Sequence, residues 1–223
     1  MPARGATTAA TTAATTAATT APGKPVLRAG LDRAAVARAA AAIADGEGLH
    51  ELTLARLAQR LGVRTPSLYN HVDGLRGLRR ELDLLGRREL GARLAHAAIG
   101  RTGDDAVAAL CQAYRAFVKD RPGLYAATVR ASRLTDPDDT ELDAAEGEIV
   151  EVVLAVLAPY GLRGDDAIHA VRALRSLAHG FATLEAAGGF GLALDRDESF
   201  RRLIAGFSAG LHTQDGTTAP HDP

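Results

Sequence analysis

Tryptophan is missing from the 223 residues, cysteine and methionine occur once each, and aromatic residues make up 4% of the chain. A core with so little aromatic bulk has to be built from alanine, leucine and valine, which form helices or are tolerated in them. An all-α fold is therefore expected. Cys111 has no second cysteine to pair with, so an intrachain disulfide is excluded and nothing points to an oxidising compartment. No run of about 18 apolar residues occurs, which argues against a membrane-spanning helix. The opening MPARGATTAATTAATTAATTAPGKP has an early arginine but no leucine-type stretch of the kind a secretory signal needs, so a cytoplasmic location is expected. Gly-rich phosphate loops, HExxH and Cys/His clusters of metal spacing are also lacking, and neither a metal nor a cofactor is expected. Ser176 and His179 stand three residues apart, as a nucleophile and its base can, but no third group or oxyanion element is legible beside them. An enzyme is not expected.

What is present begins with a tract of alternating Thr and Ala pairs over residues 7 to 21, without large side chains to bury. Residues 1–25 read as a disordered low-complexity tail and residues 214–223 as a second one. Arg4, Lys24 and Arg28 could lie along a phosphate backbone, against the plainer reading of a solvated arm. Net charge is −1, but its distribution is uneven. Residues 24 to 90 hold 12 basic and 8 acidic side chains, whereas residues 91 to 223 hold 13 and 19. Only the first third favours a polyanion.

Asp32 is placed to cap a helix in which Val36, Ala39, Ala40 and Ile43 recur at helical spacing, closing at Gly46 or Gly48. Thr53 is placed to cap a second, with Leu54, Leu57, Ala58 and Leu61 on one face and Gly62 as its stop. After Val63 and Arg64, Thr65 reads as the next cap and Pro66 as the first helical residue. Residues 53 to 72 thus read as helix, tight turn, helix.

On a wheel of about 100° per residue, Leu68 and Val72 define a buried stripe in the third helix and Asn70 points away from it. Pro66 and Ser67 lie to either side of Asn70, with Tyr69 and His71 on the flanks. Such a helix can enter a major groove. Ser67 and Asn70 then meet base edges, Tyr69 and His71 reach phosphates, and Arg64 and Thr65 add anion contacts at the helix start. Periodicity alone leaves two other readings open, a partner-docking element and an ordinary corner of a helical bundle.

The wording of residues 52 to 78, LTLARLAQRLGVRTPSLYNHVDGLRGL, resembles the helix-turn-helix of the TetR family of transcriptional regulators. Leu-Ala-x-x-Leu-Gly-Val, a small polar residue, Pro-Ser-Leu-Tyr and x-His-Val follow in family order without a gap. The resemblance implies a homodimer on a palindromic operator in double-stranded DNA. It places Thr65, Pro66, Ser67, Tyr69, Asn70 and His71 on the DNA surface and assigns Leu57, Ala58, Leu61, Val63, Leu68 and Val72 to the core; Arg64, Thr53 and Arg76 are expected as further DNA contacts beside them. Where the family commonly has a phosphate-binding lysine, this chain has Gly74-Leu75.

Further periodic segments lie near residues 74 to 99, 104 to 120, 122 to 131, 139 to 158, 165 to 187 and 197 to 212, giving nine helices in all. Residues 26–73 are expected to form the helix-turn-helix domain and residues 74–213 a helical ligand-binding and dimerisation domain. VRALRSLAHGFATLEAAGGFG, residues 171 to 191, resembles the C-terminal domain of a TetR subgroup named for a Trp and a His-Gly pair. His179-Gly180 supplies the pair and the Trp is missing. Apolar residues on several faces of helix 165 to 187, and Phe200, Leu203, Ile204, Phe207 and Leu211 on the last helix, suggest half of a four-helix dimer interface, with Gly180 and Gly206 allowing close approach. Tyr114, Phe117, Tyr125, Arg130, His179 and Phe190 combine bulk with a few polar groups and are the expected lining of a small-molecule site. His169 and His179 lie about 80° off a common face and nearly three turns apart, too far to share a metal. The expected function is a ligand-responsive repressor; the alternative is a helical ligand-binding or assembly protein that has lost DNA binding.

Overall fold

Asp32 opens the first helix as expected, its Oδ1 accepting the backbone N–H of Ala35 at 2.6 Å. The computed structural model describes residues 31–131 and 139–214, apart from the side chains at positions 130, 131 and 214. The low-complexity tail with its three basic residues, nearly all of the closing tail, and the side chain of Arg130 therefore lie outside the described residues. Among the described residues nine α-helices follow one another: α1 (Arg33–Glu47), α2 (Leu54–Leu61), α3 (Thr65–Leu68), α4 (Gly74–Ala98), α5 (Gly103–Asp120), α6 (Pro122–Ala131), α7 (Thr140–Leu157), α8 (Gly164–Ala186) and α9 (Arg196–Gln214). Two short 3₁₀ turns, Leu49–Glu51 and Ala158–Tyr160, complete the element list, and no strand occurs among the described residues. The fold is all-α, an N-terminal helix-turn-helix followed by a C-terminal helical domain. None of the described helices is long and apolar enough to cross a membrane.

Helix ends fall within about two residues of the periodicity at every element but the third. There the regular α-helix stops at Leu68, and Tyr69, Asn70 and His71 continue as a turn. Its bonds are of the tighter kind, Tyr69 N–H to the Pro66 carbonyl at 3.3 Å and His71 N–H to the Leu68 carbonyl at 2.9 Å. The chain tightens because it must turn into α4 within a few residues. Thr65 is also not the cap: Arg64 occupies that position, and the Ser67 amide bonds its carbonyl at 2.9 Å.

One contiguous core joins the two parts. It runs from Val36 and Ile43 of α1 through Leu57, Leu68 and Leu78 to Phe117, Leu174 and Phe200, all buried. Burying each large side chain contributes about 1.5–3 kcal/mol, so the helix-turn-helix is held by the same hydrophobic term as the rest. Helix α1 packs closely on α6 because Gly123 lacks a side chain. A Cβ there would overlap the Ala44 carbonyl. Beside it, Asp45 accepts from the Leu124 amide at 2.8 Å and from Arg121 at 2.7 Å, and Arg121 also holds Glu89 of α4. A second junction lies at the start of α1, where Arg33 pairs with Glu81, and Arg80 binds Asp139, Glu141 and Glu81.

Candidate nucleic-acid interface and the cavity behind it

The surface carrying the expected DNA contacts is built on α2. Thr53 caps that helix with its Oγ1, which accepts the Arg56 amide at 3.1 Å. Its last turn closes at Gly62, whose φ of 68° is the left-handed conformation that glycine adopts without a steric penalty. The Val63 amide bonds the Ala58 carbonyl at 3.0 Å and the Gly62 amide bonds the Gln59 carbonyl at 3.2 Å, the paired pattern of a Schellman stop. This stop aims the chain directly into α3.

Leu68 and Val72 are buried, joining Leu57, Ala58 and Leu61 of α2, with Val63 partly buried beside them. Pro66 and Asn70 are exposed, Tyr69 is 60% exposed, and Thr65, Ser67 and His71 are half-buried. The inward and outward division expected from the wheel thus survives the shortening of the helix, because Val72 still bonds Leu68 at 3.0 Å. Tyr69 is not a core aromatic. The side chains of Thr65, Ser67, Tyr69, Asn70 and His71 make no hydrogen bond to any described residue. Arg64 and Arg76 are exposed and unpaired as well, whereas Arg56 is engaged by Glu51 at 2.7 Å and by Glu47. Thr53 is exposed, with its oxygen used for the cap.

Gly74 has a φ of 61°, in the left-handed region, and Leu75 after it is half-buried, so the Gly74-Leu75 pair presents no cation there.

Behind this surface, α4 to α8 enclose a cavity of about 440 Å³. Leu90 and Leu94 of α4, Leu110 of α5 and Ile149, Val150 and Val153 of α7 supply apolar walls. Tyr114, Tyr125 and His179 line it too, and they form one chain: the two phenol oxygens are 2.7 Å apart, and Tyr125 bonds Nδ1 of His179. Burial, and Arg175 after it, push the His179 imidazole below its ordinary pKa, while burial pushes both phenols up. Each of these shifts favours the uncharged form of its group, and one hydrogen bond joins Tyr125 to His179. Two residues expected at this site are elsewhere. Phe117 is fully buried in the core, edge-on to Tyr125 and under Arg93, and Phe190 stacks on Phe181 at 4.8 Å. Apolar bulk on a helix marks burial but not which cavity it borders, and that is why both were misplaced.

Charged residues at the cavity were not anticipated. Arg87, with 8% of its side chain exposed, binds Asp83 at 2.8 Å and Glu146 at 2.5 Å. Burial pushes Asp83 up although Arg87 pulls it down. Arg175 reaches the other oxygen of Glu146 at 3.1 Å, and Arg172 lines the cavity beside it. The only signal in sequence was the spacing of Arg172, Arg175 and His179 along one helix. At the far end of α5, Arg115 holds Glu185 through two bonds of 2.5 and 2.6 Å, pairs with Asp197 and lies over the rings of Phe181 and Phe200. Among the described residues no group of three or more His, Cys, Asp or Glu side chains could hold a metal ion.

Residues 107–207 match the family model described as Tetracyclin repressor-like, C-terminal domain. The chain is 38% identical over 185 residues to the uncharacterized HTH-type transcriptional regulator YobS of Bacillus subtilis, covering 82% of this chain and 94% of that one. It is 37% identical over 191 residues to the uncharacterized HTH-type transcriptional regulator Rv0681 of Mycobacterium tuberculosis, covering 85% and 86%. The solved structure of a TetR variant from Acinetobacter baumannii in complex with minocycline shares the fold, with a TM-score of 0.63, 21% identity and coverage of 84% and 100%. Helix order, the helix-turn-helix surface and these matches agree, and the chain belongs to the TetR family of helix-turn-helix transcriptional regulators.

Proposed function

We propose that the protein is a cytoplasmic, ligand-responsive repressor that binds a palindromic operator as a homodimer and is released by a small molecule in the cavity. The observation that carries the DNA reading is the unspent polar surface from Thr65 to His71, raised on the buried Leu57, Leu61, Leu68 and Val72 and flanked by Arg64 and Arg76, which have no partner among the described residues. A protein keeps such groups free of internal partners at no cost only where water or a ligand serves them. Asn70 suits adenine, Ser67 reaches base edges, and Tyr69 and His71 meet phosphates. The chain carries its domains as residues 26–73 and 74–213.

Dimerisation is assigned to α8 and α9. Leu184 and Leu203 are 51% and 42% exposed, Leu177 and Phe207 are only partly buried, and among the described residues nothing comes within 4 Å of where a Cβ would stand on Gly180 or Gly206. The effector acts through helices that the two parts share. Helix α4 runs from the α3 turn to the cavity wall, and α6 carries Tyr125 and Thr128 at the cavity and Gly123 against α1. An effector that binds one setting of these helices better than the other shifts the spacing of the paired α3 segments away from one helical turn of DNA, about 34–36 Å.

Gel shifts and footprints on DNA flanking the protein's own gene test this reading. A protected palindrome with affinity that falls as salt rises is expected. Absence of any protected site would leave the alternative, an assembly protein without DNA binding. Truncation before residue 164 should abolish the dimer in sedimentation, and a truncated chain that still sediments as a dimer would overturn the interface assignment.

A further inference from the structure

Three guanidinium groups line the cavity, and they are not equally neutralised. Arg87 is buried and held between Asp83 and Glu146. Arg175 shares Glu146 through that carboxylate's other oxygen. Arg172 has no ion pair among the described residues. Among the described residues two carboxylates therefore stand against three cations, which leaves one positive charge over. Burial and the neighbouring Arg175 both oppose a further charge on His179.

The excess charge has a definite place. Ile168, Val129, Arg172 and Arg175 are exposed to solvent as well as lining the cavity, so they mark its mouth. Leu94, Leu110, Leu174 and Ala178 are buried and mark its floor. Residues 172, 175 and 179 recur at i, i+3 and i+7 along α8, one side of a helix. Against them stand the aliphatic side chains of α4 and α7. A guest that enters thus meets a cationic rim, an apolar interior and phenol hydroxyls at one edge.

We propose that the cavity takes a monoanionic amphiphile, a single carboxylate on an apolar body, with the carboxylate held by Arg172 and Arg175 and the body against α4 and α7. One negative charge cancels the excess, a neutral guest leaves it uncompensated and a cation adds to it. Arginine is suited to this because its planar fork donates two parallel bonds to a carboxylate. The inference rests on reading the cavity as the effector site, and it adds the chemical class of the effector.

Calorimetry on the full chain with three ten-carbon probes tests it: decanoate, decanol and decyltrimethylammonium. Decanoate is expected to bind once per chain and at least about tenfold more tightly than the other two, with only its affinity falling as salt rises. Arg172→Gln, at an exposed position, should keep the melting temperature, weaken decanoate about tenfold and leave decanol unchanged; Arg172→Lys should restore part of the loss. Equal binding of the three probes, no binding of decanoate, or indifference to Arg172→Gln would overturn the proposal. Release of operator DNA is read separately by anisotropy. Arg172-dependent decanoate binding without DNA release would remove the effector reading and leave the ligand class standing. Release by decanol with no role for Arg172 would do the reverse.

Discussion

The exposed arginines around the helix-turn-helix surface and those that join one helix to another live under opposite rules. Arg38, Arg60, Arg64, Arg76 and Arg79 are exposed and make no bond to any described side chain or backbone group. Arg80, Arg87, Arg93, Arg115, Arg121 and Arg175 each hold at least one carboxylate. Desolvating a guanidinium costs several kcal/mol, so cations drawn into the helical domain require carboxylates beside them. Those kept in water need none and remain available to phosphates, which displace counterions rather than buried partners. One residue type thus does structural work at the helix junctions and is left for binding where it stays in water.

The largest test of that division is Arg115→Met. It strands Glu185, which is nearly buried, and should cost about 3 kcal/mol, lowering the melting temperature by roughly 6–12 °C with no change in the salt dependence of DNA binding. The same pair predicts a pH effect. Arg115 holds Glu185 below the usual glutamate value, so its contribution is complete above that value and is lost as pH falls through the folded one. Acid titration of the wild type should show this loss, and the Arg115→Met chain should lack it.

Gly123→Val follows in size. Its side chain has no room against the α1 backbone, and overpacking there should cost about 1–3 kcal/mol and weaken operator binding, since the strain falls on the helix that supports α2 and α3. A variant that melts normally and binds DNA normally would show that the α1–α6 junction does not couple the regions.

Asn70→Ala should leave stability unchanged and cost roughly 1–3 kcal/mol on the cognate site alone, while Tyr69→Phe and His71→Ala weaken every sequence alike. Equal losses for Asn70→Ala on cognate and random DNA would contradict its outward placement over bases. The smallest effect is expected from Arg64→Gln, which should reduce the slope of log affinity against log salt by about 1 and leave the melting curve where it was.

Much of this was legible before any coordinates. Caps at Asp32 and Thr53, the Gly62 stop and the apolar spacing of Leu57, Leu61, Leu68 and Val72 are local signals, and each found its place. The third helix was read too long because turning into α4 is a demand of the next element and not of residues 69 to 71. Tyr114, Tyr125 and His179 met at one cavity, whereas Phe117 and Phe190 went into packing, since periodicity identifies a buried face without saying what faces it. Glu185 and Asp83 gave no signal: an acid on a helix looks solvated until an arginine from elsewhere arrives.

By itself, the sequence determined the helices, their order, the polar stretch from Thr65 to His71 and the family, because these depend on residues within a few turns of each other. Tertiary structure alone decided which arginines are paired, that α6 lies on α1 at Gly123, and that α4 to α8 leave a cavity lined by Arg87, Arg172 and Arg175. Those are sums over side chains 30 to 80 positions apart, such as Arg87 with Glu146 and Asp45 with Leu124, and only packing brings them within reach.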